Sequence, residues 1–569
     1  MEKRVLLAIF LSFLVLYVYQ SLVVKPTPKP VAAKTTTTTT AAPLATQPAA
    51  AAAPQPAENP TTATPLVGDT REQDIRIETR DVIAVFTNRG ARLKSWRLKH
   101  YLDPHREPLD LVVSEAATEP LPLSLQVDDD AITRTLNSAL YTVAGAPASG
   151  TVASSPVDLR FEYRDSSGVH AVKEFHIEPA NYIVRLHAVV SAQPYSVVWG
   201  PAVGDAGAEL SRFTQRPEAL LSIGGKAQRL SPSDLAKQAT YEAGFDYAGV
   251  DDQYFMTTAL KPGSARFTYG VFSIPPPAGS KDAPREYVSY SVRRAANDDR
   301  PFEFFAGPKD FDVLASIDRE YVRAINFGMF AFLVVPLLRS LKWINGFVGN
   351  YGWSIVLLTV IVNAIMFPLR HKSVVSMRKM QEIQPEVKAI QDRYAKIKAT
   401  DPAKQKMNQE LMALYKERGV NPASGCVPML LTFPVLLAFY SLLQTAIELR
   451  GAPFFGWIHD LSLHDPWYII PILTGASQLW QQLITPAAGA DPAQRRTMMI
   501  MPAVFTFMFL WAPAGVGLYW LVSNLWGIGQ QYLTNYLIGP PVVRTVRPAA
   551  ERRIKKVGSG KTEAAGGES

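Results

Sequence analysis

The stretch "SIVLLTVIVNAIMFPLRH", Ser354 to His371, decides how this chain is read. It is apolar enough to sit in lipid, yet Asn363 stands near its middle and Thr359 one turn earlier. A membrane span needs neither, and an amide at that depth is costly unless something satisfies it. Arg370 follows seven residues after Asn363. On a helix these three side chains share one face, so one side of the span is polar down to its end.

Similar apolar segments recur at Trp353–Leu369, Cys426–Ile447, Trp467–Ile484, Met498–Trp511 and Val516–Leu537. Most approach the ~20 residues that cross a bilayer; the fourth is short, with Pro502 inside it and Pro513 just beyond. They contribute Thr432, Tyr440, Ser441 and Gln444, then Gln478, Gln481 and Gln482, then Tyr519, Trp520, Ser523 and Asn524. Polar groups in spans either face one another or line a watery cavity. Both readings stand for the Ser and Thr residues. Arg370, a permanent charge with no acidic partner inside the spans, favours the cavity.

Working outward, residues 1–24 begin with Lys3 and Arg4 and continue as an apolar run to Val24, without a small-residue cleavage site. That pattern predicts an uncleaved transmembrane anchor with its basic end in the cytoplasm. Residues 25–70 are a Pro/Ala/Thr tract that cannot bury a core, expected as a disordered tether. From 71 to 315, segments such as "VDLRFEYRD", "YIVRLHAVV" and "EYVSYSVRRA" alternate apolar with polar residues. They predict a large antiparallel β-sandwich. Its histidines are scattered, and no phosphate loop or nucleophile motif accompanies them. The apolar run Ile325–Leu338 is too short to span, so 316–350 is read as an amphipathic helix in the membrane interface.

The charge distribution orients the chain. The net charge is +8, and the segment Arg370–Gly425 holds twelve Lys/Arg against six Asp/Glu. Arg495 and Arg496 precede the fourth core span, and seven Lys/Arg follow Pro540 in the basic tail 541–569. Basic loops stay inside, and all of these fall on one side. The result is an anchor plus a five-helix core at 351–540, with both termini cytoplasmic and the β-domain outside. The positive charge thus serves topology and anionic phospholipid headgroups, not a nucleic-acid site. The single cysteine, Cys426, excludes an internal disulfide framework and a Cys-rich metal site.

Within the core, residues 371–420 form a cytoplasmic helical hairpin. Met377, Met380, Ile383, Val387, Ile390 and Tyr394 recur at helical steps, "ATDP" breaks the run, and a second helix carries Met407, Leu411, Met412 and Leu414. Met377, Met380, Met407 and Met412 suit an adaptable recruitment surface; packing of the two helices against each other is the alternative.

"LKWINGFVGNYGWSIVLLTVIVNAIMFPL", "ALYKERGVNPASGCVPMLLTFPVLLAFY", "APFFGWIHDLSLHDPWYIIPILTG" and "FLWAPAGVGLYWLVSNLWGIGQQ" resemble the YidC/Oxa/Alb family of membrane protein insertases. The anchor, tether and outer domain are similar to its Gram-negative YidC form. The resemblance covers nearly the whole chain and is specific from about Leu341 to Gln531. It implies a five-helix core in the inner membrane around a hydrophilic groove, working alone or beside the Sec translocon. The implied partners are nascent membrane proteins and the ribosome, with a monomer as working unit. No catalytic residue, cofactor or metal is implied. The groove residues it marks are Thr359, Asn363, Arg370, Thr432, Tyr440, Tyr519, Trp520, Ser523 and Asn524.

The family usually carries an arginine where Asn363 stands. Either Arg370 reaches back along the same face to replace it, or hydration and not a formal charge is what the groove needs. The second is preferred here because Asn both donates and accepts. A solute transporter and a periplasmic ligand-binding receptor are the competing functions. The core shows neither internal duplication nor an acidic coupling residue in its spans, against the first. Deleting most of 71–307 separates the second: an insertase keeps its function and a receptor loses it.

Overall fold

The computed structural model describes residues 64–538, except 104, 114–119, 149, 192, 201–214, 275–283, 295–297, 395–402, 420–426 and 485–491. Side chains at 377, 381, 403–404, 427–432, 492–498 and 538 also fall outside the description. The expected anchor 1–24 and basic tail 541–569 lie outside the described residues, as does most of the tether. The described residues form two compact units. One runs to Asn326 and includes Thr445–Gly451; the other comprises Phe327–Gln444 and the chain from Ala452.

In the first unit, thirteen strands form one antiparallel sheet. Four more, Asp74–Glu78, Val82–Thr87, Arg92–Leu102 and Pro108–Asp110, form a second. The alternation seen in the sequence is carried into burial: along Val157–Asp165 every second side chain is buried. The small sheet lays Phe86 on Phe175 and Phe161 of the large one, with ring centroids 4.9 and 6.5 Å apart. Trp96 Nε1 donates to the Ala306 carbonyl across the same layer, 2.8 Å away. Burial of such rings is worth ~1.5–3 kcal/mol each.

Lys173 is fully buried between the layers. Its ammonium donates to the carbonyls of Gly90, Ala91 and Leu123 at 2.8, 2.9 and 2.8 Å. All three of its donors are used, which is what allows a lysine into a core.

Both expected boundaries of this unit move. The tether was expected to reach residue 70, but Pro65–Val67 is already a strand paired with Val157–Asp165. Proline is tolerated there because an edge strand leaves one row of N–H groups unused. At the other end the unit passes 315 and closes with Tyr321, which is buried against Tyr247 at 5.3 Å. Arg229 donates to the Ala324 carbonyl beyond it.

The second unit is helical. We label its helices α1 (Ala331–Val348), α2 (Tyr351–Glu382), α3 (Gln384–Arg393), α4 (Ala403–Glu417), α5 (Val427–Thr445), α6 (Ile469–Ile484), α7 (Pro492–Phe509) and α8 (Ala514–Ile538). Helix α1 runs ten residues past the apolar stretch that suggested a short interfacial element. With the preceding turn, Gly328–Val348 is 21 residues, long and apolar enough to cross a membrane by length and composition. It buries Val334, Leu338, Leu341 and Ile344 and leaves Phe332, Trp343 and Phe347 exposed.

Helix α2 is 32 residues, about 48 Å, so it outruns a ~30 Å hydrocarbon core. It continues without interruption into what the sequence suggested was the hairpin's first arm. The arm then breaks at Ile383, where Pro385 lacks the N–H needed to continue and a new helix starts at Gln384. Helices α3 and α4 are tied by Arg393–Glu410 at 3.2 Å, by Tyr394 donating to Glu410 at 2.7 Å, and by Arg418–Glu386 at 2.9 Å. Helix α7 starts at Pro492, so Arg495 and Arg496, expected in a loop, belong to its first turns.

Helices α6 and α8 pack closely through small residues. A Cβ added at Gly517 would stand 2.8 Å from Ile470 Cγ2, and on the α7 side of α6 one at Gly475 would collide with Thr506 Oγ1. The loop before α6 folds around Asp465, which is buried. Its carboxylate accepts from Trp457 Nε1 at 2.8 Å and from the backbone N–H of Trp467 and Ile470 at 3.0 and 2.7 Å. Trp457 and Trp467 stack 5.5 Å apart over it.

Candidate functional site

The polar face of α2 is turned inward, against α8. Thr359 is buried, and its hydroxyl donates to the Ile355 carbonyl one turn back, at 2.6 Å. Asn363 is 4 % exposed. Its amide Nδ2 donates to the Thr359 carbonyl at 2.8 Å, and Ser523 Oγ of α8 lies 3.5 Å away. This back-bonding fixes the amide and leaves Oδ1 facing the other way. There it accepts from Arg370 Nη1 at 2.9 Å. The half-buried Arg370 thus reaches back two turns and places its guanidinium against Asn363.

The seam continues toward the far end of both helices. His371 Nδ1 lies 3.3 Å from Thr534 Oγ1, and Arg378, nearly buried, donates to Asn535 Oδ1. Gln531 donates to the same Asn535 oxygen at 3.1 Å. Sequence reasoning did not pick out His371, Arg378, Gln531, Thr534 or Asn535. The signal was present: continuing the steps from Asn363 and Arg370 leads to Arg378, with the polar run of α8 facing it.

The other expected groove residues divide. Tyr519 is buried on the α8 face that carries Ser523, stacked on Phe439 of α5 with centroids 4.5 Å apart and 9° between planes. Tyr440 and Gln444 of α5 are partners one turn apart; Gln444 Nε2 donates to the Tyr440 hydroxyl at 2.7 Å. The Thr432 side chain lies outside the description, although its backbone is in α5.

Two expected groove residues are turned elsewhere. Trp520 wedges against Phe509 and Phe505 of α7, at 5.1 and 5.8 Å, because a one-residue step from Tyr519 rotates it about 100° away. Asn524 faces α6 and is 7 % exposed. It donates to the Thr474 carbonyl at 3.3 Å and to Ser477 Oγ at 3.1 Å, an interhelical tie.

On the hairpin, Met412 is 60 % exposed, while Met380 and Met407 are half-buried. The Met377 side chain is outside the description. One methionine of the proposed surface is therefore presented outright.

The β-unit also holds a cavity of about 480 Å³ lined by Asp158, Arg160, Glu174, His176, Arg185 and His187 among others. Its charges are largely spent on each other: Arg160 on Glu174 at 2.5 Å, His176 on Asp158 at 2.7 Å, His187 on Asp299 at 3.1 Å. The Asp158 carboxylate beside His176 raises that imidazole above its ordinary range, with Glu178 adding to the effect. No group of three or more His, Cys, Asp or Glu is placed to hold a metal among the described residues.

A family described as the YidC periplasmic domain matches residues 74–340, and one described as the 60Kd inner membrane protein matches residues 343–539. The chain is 34% identical over 566 residues to the membrane protein insertase YidC of Syntrophus aciditrophicus, covering 94% of this chain and 99% of that one. It is 33% identical over 560 residues to that of Pelobacter propionicus, covering 95% and 100%. A crystal structure of an active YidC insertase with its first transmembrane domain resolved aligns over 84% of this chain and 95% of its own, with TM-score 0.33 and 20% identity. A β-rich periplasmic domain followed by a helical inner-membrane part is thus the plan of the chain, which belongs to the YidC family of membrane protein insertases.

Proposed function

We propose that the chain inserts newly made membrane proteins by receiving a hydrophilic segment along the α2–α8 seam, with Arg370 and Asn363 as its polar centre. The carrying observation is the Arg370–Asn363–Ser523 chain of contacts, a guanidinium and an amide turned into the helical unit instead of toward lipid. A bare amide entering hydrocarbon costs ~2–7 kcal/mol. Donors and acceptors already held in place lower that cost for the entering segment. The guanidinium adds attraction for acidic stretches. The apolar segment behind then partitions sideways into lipid, driven by ~25 cal/mol per Å² of apolar surface. The membrane potential contributes ~2.3 kcal/mol per charge per 100 mV on acidic segments. No covalent step is involved.

The working topology in this proposal is an N-terminal anchor plus five core helices. Both termini are cytoplasmic, the β-unit is periplasmic, and α1 lies at the membrane interface. The Lys/Arg asymmetry of the loops supports it. The salt-bridged α3–α4 hairpin, with Met412 exposed, meets the ribosome-bound nascent chain on the cytoplasmic side. Anionic phospholipids hold the basic loops and tail, and the protein works as a monomer, alone or with the Sec translocon.

Photo-crosslinkers placed singly at Asn363, Ser523 and Ile365 test the site with ribosome-bound nascent chains of a small membrane protein. Ile365 is 72 % exposed on another face of the same helix. Capture of the hydrophilic segment from Asn363 and Ser523 but not from Ile365 supports the seam as the route; equal capture from all three contradicts it.

A further inference from the structure

Helix α8 carries two buried polar atoms that the fold leaves unsatisfied. Trp526 Nε1 and Gln530 Oε1 are both shielded from solvent and have no hydrogen-bond partner among the described residues. Gln530 as a whole is 7 % exposed. Four residues separate them, so both side chains stand on one face of the helix. Ser523, three residues before Trp526, and Tyr519, four before Ser523, extend that face. Ser523 lies against Asn363 of α2 and Tyr519 against Phe439 of α5. The unsatisfied pair therefore continues the seam of Asn363. Buried polar atoms are nearly always hydrogen-bonded, and each exception calls for an explanation.

We infer that Trp526 and Gln530 form a docking rail for the extended main chain of the entering segment. The indole N–H donates to a substrate carbonyl, and Gln530 Oε1 accepts from a substrate amide N–H two residues along. This rests on the reading of the seam as the insertion route and adds the conformation that the route receives. Four helical residues advance about 6 Å. An extended chain repeats its same-side N–H and C=O pair every two residues, about 6.8 Å, with the C=O of one pair and the N–H of the next lying within that repeat, so a donor and an acceptor one helical turn apart on flexible side chains face one such C=O and N–H. Peptide capture at an exposed sheet edge uses the same groups.

This chemistry has two consequences for what is recognised. Main-chain groups are common to all sequences, so the rail takes hydrophilic segments whatever their side chains. A helix spends its amides on itself and offers the rail nothing. The rail therefore holds the extended polar stretch and releases the apolar stretch as that stretch becomes helical.

The test uses the full-length protein in proteoliposomes and an in vitro translated single-span substrate that carries a photo-crosslinker in its polar segment. Backbone amides of the substrate's polar segment are replaced one at a time by esters, which removes one N–H and keeps every side chain. The rail predicts a position where the ester lowers capture about fivefold, the value of one hydrogen bond. Gln530→Met lowers capture of the all-amide substrate similarly, and in that variant the ester adds no further loss. Trp526→Phe, which keeps the ring and removes the N–H, lowers capture as well. If Gln530→Met lowers the thermal midpoint, Gln530→Asn, which withdraws the amide without deleting it, replaces it in the same comparison.

Ester positions without effect, or an ester loss undiminished in the Gln530 variant, overturn the rail while normal capture of the all-amide chain leaves the insertion route standing. Failure of the unaltered protein to capture the all-amide chain along α2 and α8 overturns the route itself, and the rail with it.

Discussion

Arg370 and Asn363 are joined by a hydrogen bond of 2.9 Å that spans two turns of one helix. The amide is held from behind by the Thr359 carbonyl, so its oxygen is the only part free to meet the guanidinium. Under the proposed function, the polar centre of the seam is built from these two residues together. The backbone supplies Arg370 nearer the end of the span, and Asn363 supplies the acceptor that draws it inward. The arrangement keeps the guanidinium stem along apolar surface, as long cationic side chains do near helix ends.

Asn524 is a structural residue by this account, and its replacement should separate stability from insertion. Asn524→Leu removes the tie to Thr474 and Ser477, leaving the Ser477 hydroxyl only its own bond to the Thr474 carbonyl among the described residues. We expect a loss of about 1–3 kcal/mol, seen as a lower thermal midpoint in detergent. Insertion per folded molecule is unchanged. A fall in insertion at an unaltered midpoint would return Asn524 to the groove.

Lys173→Met should destabilise the β-unit severely. Three backbone carbonyls lose their donor at once, each worth about 1–3 kcal/mol when left buried and unpaired. Unfolding of the full chain, followed by protease susceptibility of the β-unit, should show the loss with the helical unit still resistant. A variant as resistant as the parent would mean that water or another donor replaces the ammonium.

The His176 bridge should make the β-unit's stability depend on pH. Its imidazole is raised above the ordinary value of about 6.5 by Asp158 and then Glu178. The stabilisation is therefore complete below about pH 6.5 and is lost as pH rises through the higher folded value. The site is partly exposed, so the effect stays under about 1 kcal/mol. His176→Gln should lower the thermal midpoint at pH 5.5 and leave it unchanged at pH 9; an equal shift at both would contradict the bridge.

Much of this was legible in the residues. Hydropathy placed α5, α6 and α8 within a few residues of their observed ends, because uninterrupted apolar runs of span length have few alternatives; it placed the start of α2 but not its end, which lies thirteen residues beyond the apolar run, at Glu382. Alternation marked the β-unit for the same reason. Its start at Pro65 was hidden because the first strand lies inside a proline-rich tract and is recognised only by its partner. The break at Ile383 was missed because the apolar period runs straight through it while Pro385 forbids the helix to do so.

Periodicity assigns a residue to a helix face but does not say which neighbour that face meets. Asn363 and Arg370 share the α2 face that meets Ser523 of α8. Trp520 and Asn524, one residue along from Tyr519 and Ser523, were assigned to the groove although they pack on α7 and α6. Arg370's reach depended on the conformation of a long side chain, which no spacing encodes.

The central claim is that the polar centre of the seam is a guanidinium held at Asn363. The most direct measurement is insertion in proteoliposomes of a single-span substrate with an acidic leading segment. It compares the parent, Arg370→Leu, and Arg370→Leu combined with Asn363→Arg. The account predicts that Arg370→Leu lowers insertion about tenfold or more, as loss of a charge-assisted contact of ~1.5–3 kcal/mol requires, and that the added arginine restores most of it. Full insertion by Arg370→Leu alone would contradict the claim.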